Sequence, residues 1–175
     1  MSSVFTRLAT PADAAAIAVI YNQGIADRIA TFETRLRTAE EVAQWFSDRF
    51  PIVVTLVNDQ IVAFAATFPY RPRPCYAGIA EFSVYVEREW RGRGIGRLTM
   101  LALIEAATRA SFWKLLSRVF VENTASRAML ASVGFREVGI YEKHARLDGR
   151  WRDVVIVERF IPEQLERTEE TLSRE

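Results

Sequence analysis

The sequence predicts a single α/β domain with a mixed sheet, its elements following one another in the order βααβββαβαββ, and three observations carry the prediction. Short apolar runs rich in Val, Ile and Phe alternate with stretches of helical spacing, the pattern of a sheet flanked by helices. A segment of alternating glycine and arginine, Arg91 to Arg97, stands between a strand-type run and a helix-type run, so the chain turns from sheet to helix there. The 175 residues, 50% apolar and 26% charged, suit one domain with a sizeable core, expected over 1–162, with a charged, fraying tail over 163–175.

Taken in order, Val4 to Leu8 reads as the first strand. Thr10-Pro11-Ala12-Asp13 then supplies an N-cap, a proline at the first helical position and an acid in the first turn, so a helix follows to about Ile25. Its apolar positions Ile17, Ile20 and Tyr21 would face the sheet. Thr38-Ala39-Glu40-Glu41 is a capping box that starts a second helix, expected to run to Phe50, where Pro51 stops it. The stretch between the two helices, ADRIATFETRLR, is too long for a tight turn and is of the kind that lines sites.

Ile52 to Val57, the turn Asn58-Asp59 and Ile61 to Phe68 read as a β-hairpin. The three prolines Pro69, Pro72 and Pro74 lack backbone donors and make the next segment a loop or sheet edge. Ala77 to Val86 is the following strand, and a helix runs from Gly94 to Arg109. Leu115 to Val121 is apolar with little alternation, as in a strand covered on both faces. A short helix over Thr124 to Val133 and two final strands ending near Ile161 complete the domain.

The chemistry is concentrated where VYVEREWRGRGIG runs into LTMLALIEAA. Glycines ahead of a helix N-terminus expose unpaired backbone N–H groups at the positive end of the helix dipole, which is a seat for a diphosphate. Arg91, Arg93 and Arg97 add charge there. No Gly-Lys-Ser or Gly-Lys-Thr occurs, so a nucleoside triphosphate loop is disfavoured. The dinucleotide fingerprint is disfavoured too, because Arg97 stands where its third glycine would be.

Arg91, Gly94 and Gly96 meet the pattern [R/Q]-x-x-G-x-[G/A], and this segment resembles motif A of the GNAT superfamily of acyl-coenzyme A-dependent N-acyltransferases. Downstream, Asn123 to Ser126, Met129-Leu130 and Gly134-Phe135 resemble that superfamily's motif B. The resemblance spans about Val4 to Ile161. It implies the GNAT fold, a twisted mixed sheet of about seven strands with a V-shaped opening between the fourth and fifth. It also implies acetyl-CoA as cosubstrate, its pantetheine arm beside Val84, Tyr85 and Val86. The pyrophosphate would then rest on Gly92, Arg93, Gly94, Ile95, Gly96 and Arg97 after Arg91, with Asn123 and Ser126 on the arm's other side.

Acetyl transfer to an amine needs a base, since an alkylamine with a pKa of roughly 10 is mostly cationic at neutral pH. Glu81, inside an apolar strand on the face shared with Ser83 and Tyr85, is the candidate, and an ion pair with a neighbouring arginine is the other reading of a carboxylate there. A backbone N–H near Val84 or Val86 would stabilise the oxyanion. The motif-B place that carries tyrosine in many such enzymes holds Leu130, so either Tyr85 or Tyr141 assists the leaving thiolate or it departs unassisted. His144, in a polar stretch near a strand end, is read as a solvated loop residue, and Cys75 as incidental.

Within the superfamily, IYNQGIADRIATFET (Ile20 to Thr34), EFSVYVEREWRGRGIG (Glu81 to Gly96) and LDGRWRDVVIVERF (Leu147 to Phe160) resemble the phosphinothricin N-acetyltransferase type, with its arsinothricin and methionine sulfone relatives. That likeness implies a small acidic amino acid as acceptor, for detoxification or antibiotic self-protection, with Arg73 and its neighbour Arg71 on the acid groups and Phe32 and Thr34 walling the pocket. It also implies a homodimer. A polyamine or protein-amine acetyltransferase, and a non-catalytic acyl-CoA-binding module, are the competing readings. A net charge of +1 and unarrayed aromatics argue against nucleic acid. With no long apolar run and no apolar leader, neither membrane nor secretion is expected. A lone cysteine agrees with the cytoplasm, and no metal is expected.

Overall fold

The structure, a computed structural model, describes residues 3–166. Seven strands form one sheet in the order β1-β2-β3-β4-β5-β7-β6. They are β1 (Val4–Leu8), β2 (Ile52–Val57), β3 (Gln60–Pro69), β4 (Ile79–Val86), β5 (Lys114–Phe120), β6 (Arg136–Leu147) and β7 (Arg150–Phe160). Helices α1 (Ala14–Asp27) and α2 (Ala39–Ala43) cover one face, and α3 (Ile95–Arg109) and α4 (Thr124–Ser132) the other. All six residues of β2 are buried, because α3 and α1 sandwich the sheet there.

Most elements stand where the sequence places them, and the differences have local causes. Pro11–Asp13 forms a 3-10 turn ahead of α1. Asp13 accepts the Thr10 N–H at 2.8 Å and two bonds from Arg7, which fastens the helix start to β1. The second helix ends at Ala43 rather than Phe50. Trp45 turns inward to meet Tyr21 and Phe68 edge-on at 5.2 and 5.6 Å, and so short a helix has little cooperativity to resist that packing. At the other end, Gln164 is buried and donates to the Thr108 carbonyl at 2.9 Å, so packed structure continues past Pro162 as a helical turn over 162–166. The rest of the expected tail, 167–175, lies outside the described residues.

The sheet parts in its middle. β4 and β5 are parallel and pair only at Ile79↔Lys114, Ala80↔Leu115 and Glu81↔Leu116. Beyond that register β4 stays with β3 through Val86, while β5 stays with β7 through Phe120. Unpaired backbone polar groups demand partners, and at the start of the fork Ser117 Oγ donates to the Phe82 carbonyl at 2.8 Å. Farther out, the gap is open to a ligand.

Candidate active site

Glu81 occupies the last paired position before the fork opens. Two contiguous cavities lie along the divergence, of about 560 and 440 Å³, and both are lined by Ala30, Val84, Tyr85, Asn123 and Ser126. A molecule in one can therefore touch a molecule in the other across Val84 and Tyr85. Tyr85 is buried at this junction, stacked on Phe64 at 5.5 Å with the edge of Tyr21 at 5.0 Å. Burial pushes its hydroxyl above the ordinary tyrosine range.

The smaller cavity is a groove running from the fork to the glycine loop. Gly92 and Gly94 have φ of +71° and +80°, a conformation side-chain-bearing residues resist, while a Cβ on either would meet nothing. Backbone geometry, not crowding, requires glycine there. Gly94 caps α3 without any side-chain bond, so the helix's leading N–H groups face the groove unclaimed. Arg91 and Arg97 line the groove, as do Val84, Val86 and Met129. Arg91 is fixed by Asp27 at 2.7 Å and by the Val86 carbonyl at 3.0 Å. Arg93 instead lies over the Trp90 ring at 5.1 Å, and Ile95 is buried in the core. Asn123 ties the far wall together, its Oδ1 capping α4 at the Ser126 N–H and its Nδ2 donating to the Ile29 carbonyl.

The larger cavity holds Glu81, Phe32 and Leu130 among its walls. Thr34, Arg71 and Arg73 do not line it; all three are exposed, and the Arg71 guanidinium lies over the Tyr70 ring at 5.3 Å. Its lining also holds Arg118 and His144, neither of which the sequence reading assigned to a site. Arg118 donates through Nη2 to Glu81 Oε2 at 2.5 Å. His144 is exposed, as the sequence suggests, but stands in β6 rather than in a loop: β6 slips register between Tyr141 and Ala145, Lys143 takes a φ of +48°, and its N–H is held by Asp153 Oδ1 at 2.7 Å. That bulge turns the imidazole toward Phe32 and Tyr141, at 6.4 and 5.2 Å between rings. Nothing in the local sequence of β6 signals the slip, because the Asp153 that holds it lies on β7.

A glycine loop that opens a helix, a groove along the parted strands, and a second cavity that shares Val84 and Tyr85 with it and holds a carboxylate are the parts of an acyl-carrier transferase. Residues 6–156 match the acetyltransferase (GNAT) domain family. The chain belongs to the GNAT family. It is an acetyl-CoA-dependent N-acetyltransferase. A phosphinothricin N-acetyltransferase of Streptomyces coelicolor is 32% identical over 147 residues, covering 80% of this chain and 86% of that one. A crystal structure of a phosphinothricin acetyltransferase from Sinorhizobium meliloti in complex with AcCoA superposes with a TM-score of 0.83 at 27% identity, covering 90% and 88%. A ribosomal-protein-alanine N-acetyltransferase from Brucella melitensis superposes at 0.85 with 33% identity, covering 90% and 99%.

The residues of this GNAT enzyme fit acetyl-CoA. The N–H groups of α3 with Arg91 and Arg97 suit the pyrophosphate, and the apolar walls at Val84, Val86 and Met129 suit the pantetheine arm. Among the described residues no cluster of His, Cys, Asp or Glu could hold a metal ion, and no helix is long and apolar enough to cross a membrane.

Proposed function

We propose that the enzyme moves the acetyl group directly to the α-amine of a small acidic amino acid of the phosphinothricin type, with Glu81 as the base. The observation that carries this reading is the position of Glu81, at the last pairing before β4 and β5 part and in the wall of the cavity that shares Val84 and Tyr85 with the carrier groove. Bound acetyl-CoA supplies a thioester carbonyl; the chain supplies placement and proton handling. Glu81 Oε1 makes no hydrogen bond to the described residues, which leaves it available for the ammonium proton. Cys75 is exposed and lines neither cavity, which favours direct transfer over a thiol relay.

Tyr85 is the group proposed to serve the leaving sulfur, a reading supported by its lining both cavities. With its hydroxyl shifted upward by burial it keeps its proton, so it acts by donating a hydrogen bond, since a thiol of pKa about 8.5 is the stronger acid. A backbone N–H of β4 at the opening takes the oxyanion. Arg71 and Arg73 stand exposed beside the prolines on the loop that joins β3 and β4.

The enzyme is further proposed to act as a cytoplasmic homodimer. Support comes from the outer strand β6, whose Val138, Ile140 and Tyr141 stand about half exposed. The deciding experiment is thiol release from acetyl-CoA with phosphinothricin, methionine sulfone, glutamate, spermidine and an alanine-initiated peptide as acceptors. Turnover with the acidic amino acids supports the reading; turnover with spermidine or the peptide alone overturns it.

A further inference from the structure

Arg118 projects from β5 two residues past the last paired position, on the face it shares with Leu116 and Phe120. Its guanidinium is 40% exposed and lines the acceptor cavity. A guanidinium has five N–H donors in a planar fork, yet Arg118 makes one hydrogen bond in the described structure, from Nη2 to Glu81. Glu81 likewise bonds through Oε2 and leaves Oε1 free. A purely structural pair of this kind has no need to stand at the fork with unused valences aimed into a cavity. His144, which also lines the cavity, sits on the β6 bulge against Phe32, on a different element from Glu81.

We infer that Arg118 is the residue that binds the acceptor's α-carboxylate, and that Glu81 and Arg118 together read the zwitterion of an α-amino acid. An α-amino acid carries its ammonium and its carboxylate on one carbon, so its complement is an anion and a cation side by side. Glu81 and Arg118 are such a pair, 2.5 Å apart. The acceptor's carboxylate takes the free edge of the guanidinium, where two parallel N–H···O bonds are available. That places the adjoining nitrogen over Glu81 Oε1, with its lone pair toward the carrier groove once the proton has passed. Free amines, which have no carboxylate, and protein N-termini, whose first carboxyl is an amide, leave Arg118 without its anion. The pair therefore selects free amino acids rather than merely acidic ones. This inference rests on the α-amine reading above and assigns to β5 the role that the sequence gave to Arg71 and Arg73.

The test compares methionine sulfone with the same molecule lacking its α-carboxyl group and with its α-carboxamide, for the wild type, Arg118→Ala, Arg118→Lys and the double variant Arg71→Ala/Arg73→Ala. Acetyl-CoA affinity by calorimetry and the thermal midpoint confirm that each variant is folded. The wild type is expected to prefer the amino acid over the decarboxylated amine by on the order of 100-fold in kcat/KM. Arg118→Ala should reduce that preference to a few-fold, through a higher KM for the amino acid and an unchanged KM for the amine, with acetyl-CoA affinity unchanged. Arg118→Lys should restore part of it as a point charge, and the Arg71/Arg73 variant should keep it whole. If Arg118→Ala retains the preference, or lowers kcat equally for all three acceptors, Arg118 only orients Glu81 and the inference falls while the α-amine reading stands. If the wild type itself uses the amine or the carboxamide as well as the amino acid, the inference falls while the α-amine reading stands; if it turns over none of the three, that reading falls with it.

Discussion

Asp27, at the last residue of α1, holds Arg91 of the glycine loop by a 2.7 Å bond from Nη1 to Oδ2 and holds Arg88 by another of 2.7 Å from Nη2 to Oδ1. The helix on one face of the sheet thus fixes a guanidinium of the carrier groove on which the other face's helix opens. Hydrogen bonding from Arg88, and then from Arg91, keeps the Asp27 carboxyl below the ordinary carboxylate range against the opposing effect of its partial burial. A depressed folded-state pKa adds stability above the unfolded value, about 3.9, and that stability is lost as pH falls through the lower folded value. Asp27→Asn should lower the thermal midpoint at pH 7, converge with the wild type in strong acid, and weaken acetyl-CoA binding roughly two- to five-fold. Equal midpoints at pH 7 would show the carboxylate to be idle.

Gly24 is required by a neighbour rather than by its own backbone. A Cβ there would lie 2.6 Å from two ring carbons of Tyr85, so Gly24→Ala must displace the ring that separates the two cavities. Overpacking of this kind costs about 1–3 kcal/mol. Urea unfolding should register that loss, and KM should rise for both substrates because both cavities share the ring.

Tyr85→Phe removes one hydroxyl and leaves the packing. We expect kcat to drop about ten-fold, the worth of one hydrogen bond to a developing charge, with both KM values held. Steady-state kinetics in which kcat is unaltered would leave the thiolate to depart unassisted.

The half-exposed apolar side chains of β6 predict a dimer of about twice the 20.0 kDa chain mass. Replacing Ile140 and Tyr141 by Lys should yield monomers of unchanged fold, read by sedimentation equilibrium. A wild type that sediments as a monomer at high concentration would refute the interface.

Local signals made most of the architecture legible. Asn58-Asp59 takes positive φ at both residues as the hairpin turn demands, Thr38 and Glu41 close their capping box, and Gly92 and Gly94 adopt the left-handed geometry that only glycine adopts freely. The end of α2 was not legible, because Trp45 answers to Tyr21 and Phe68, which are distant in sequence. The same limit applies to the site. Glu81 and the glycine loop lie in one continuous segment, and a buried-strand carboxylate announces itself. Arg118 becomes visible only when β5 is laid beside β4 with three paired residues, and His144 only when β6 slips against β7. The family likeness assigned Arg71 and Arg73 to the acceptor, but no local rule told which way their loop would face, and both stand exposed outside the cavity lining.

The most direct measurement is turnover by Glu81→Gln with a saturating acidic amino acid, paired with calorimetry of acetyl-CoA binding to the same variant. The account predicts kcat reduced by about 10² to 10⁴ with acetyl-CoA affinity intact. Wild-type turnover near neutral pH in that variant would contradict it.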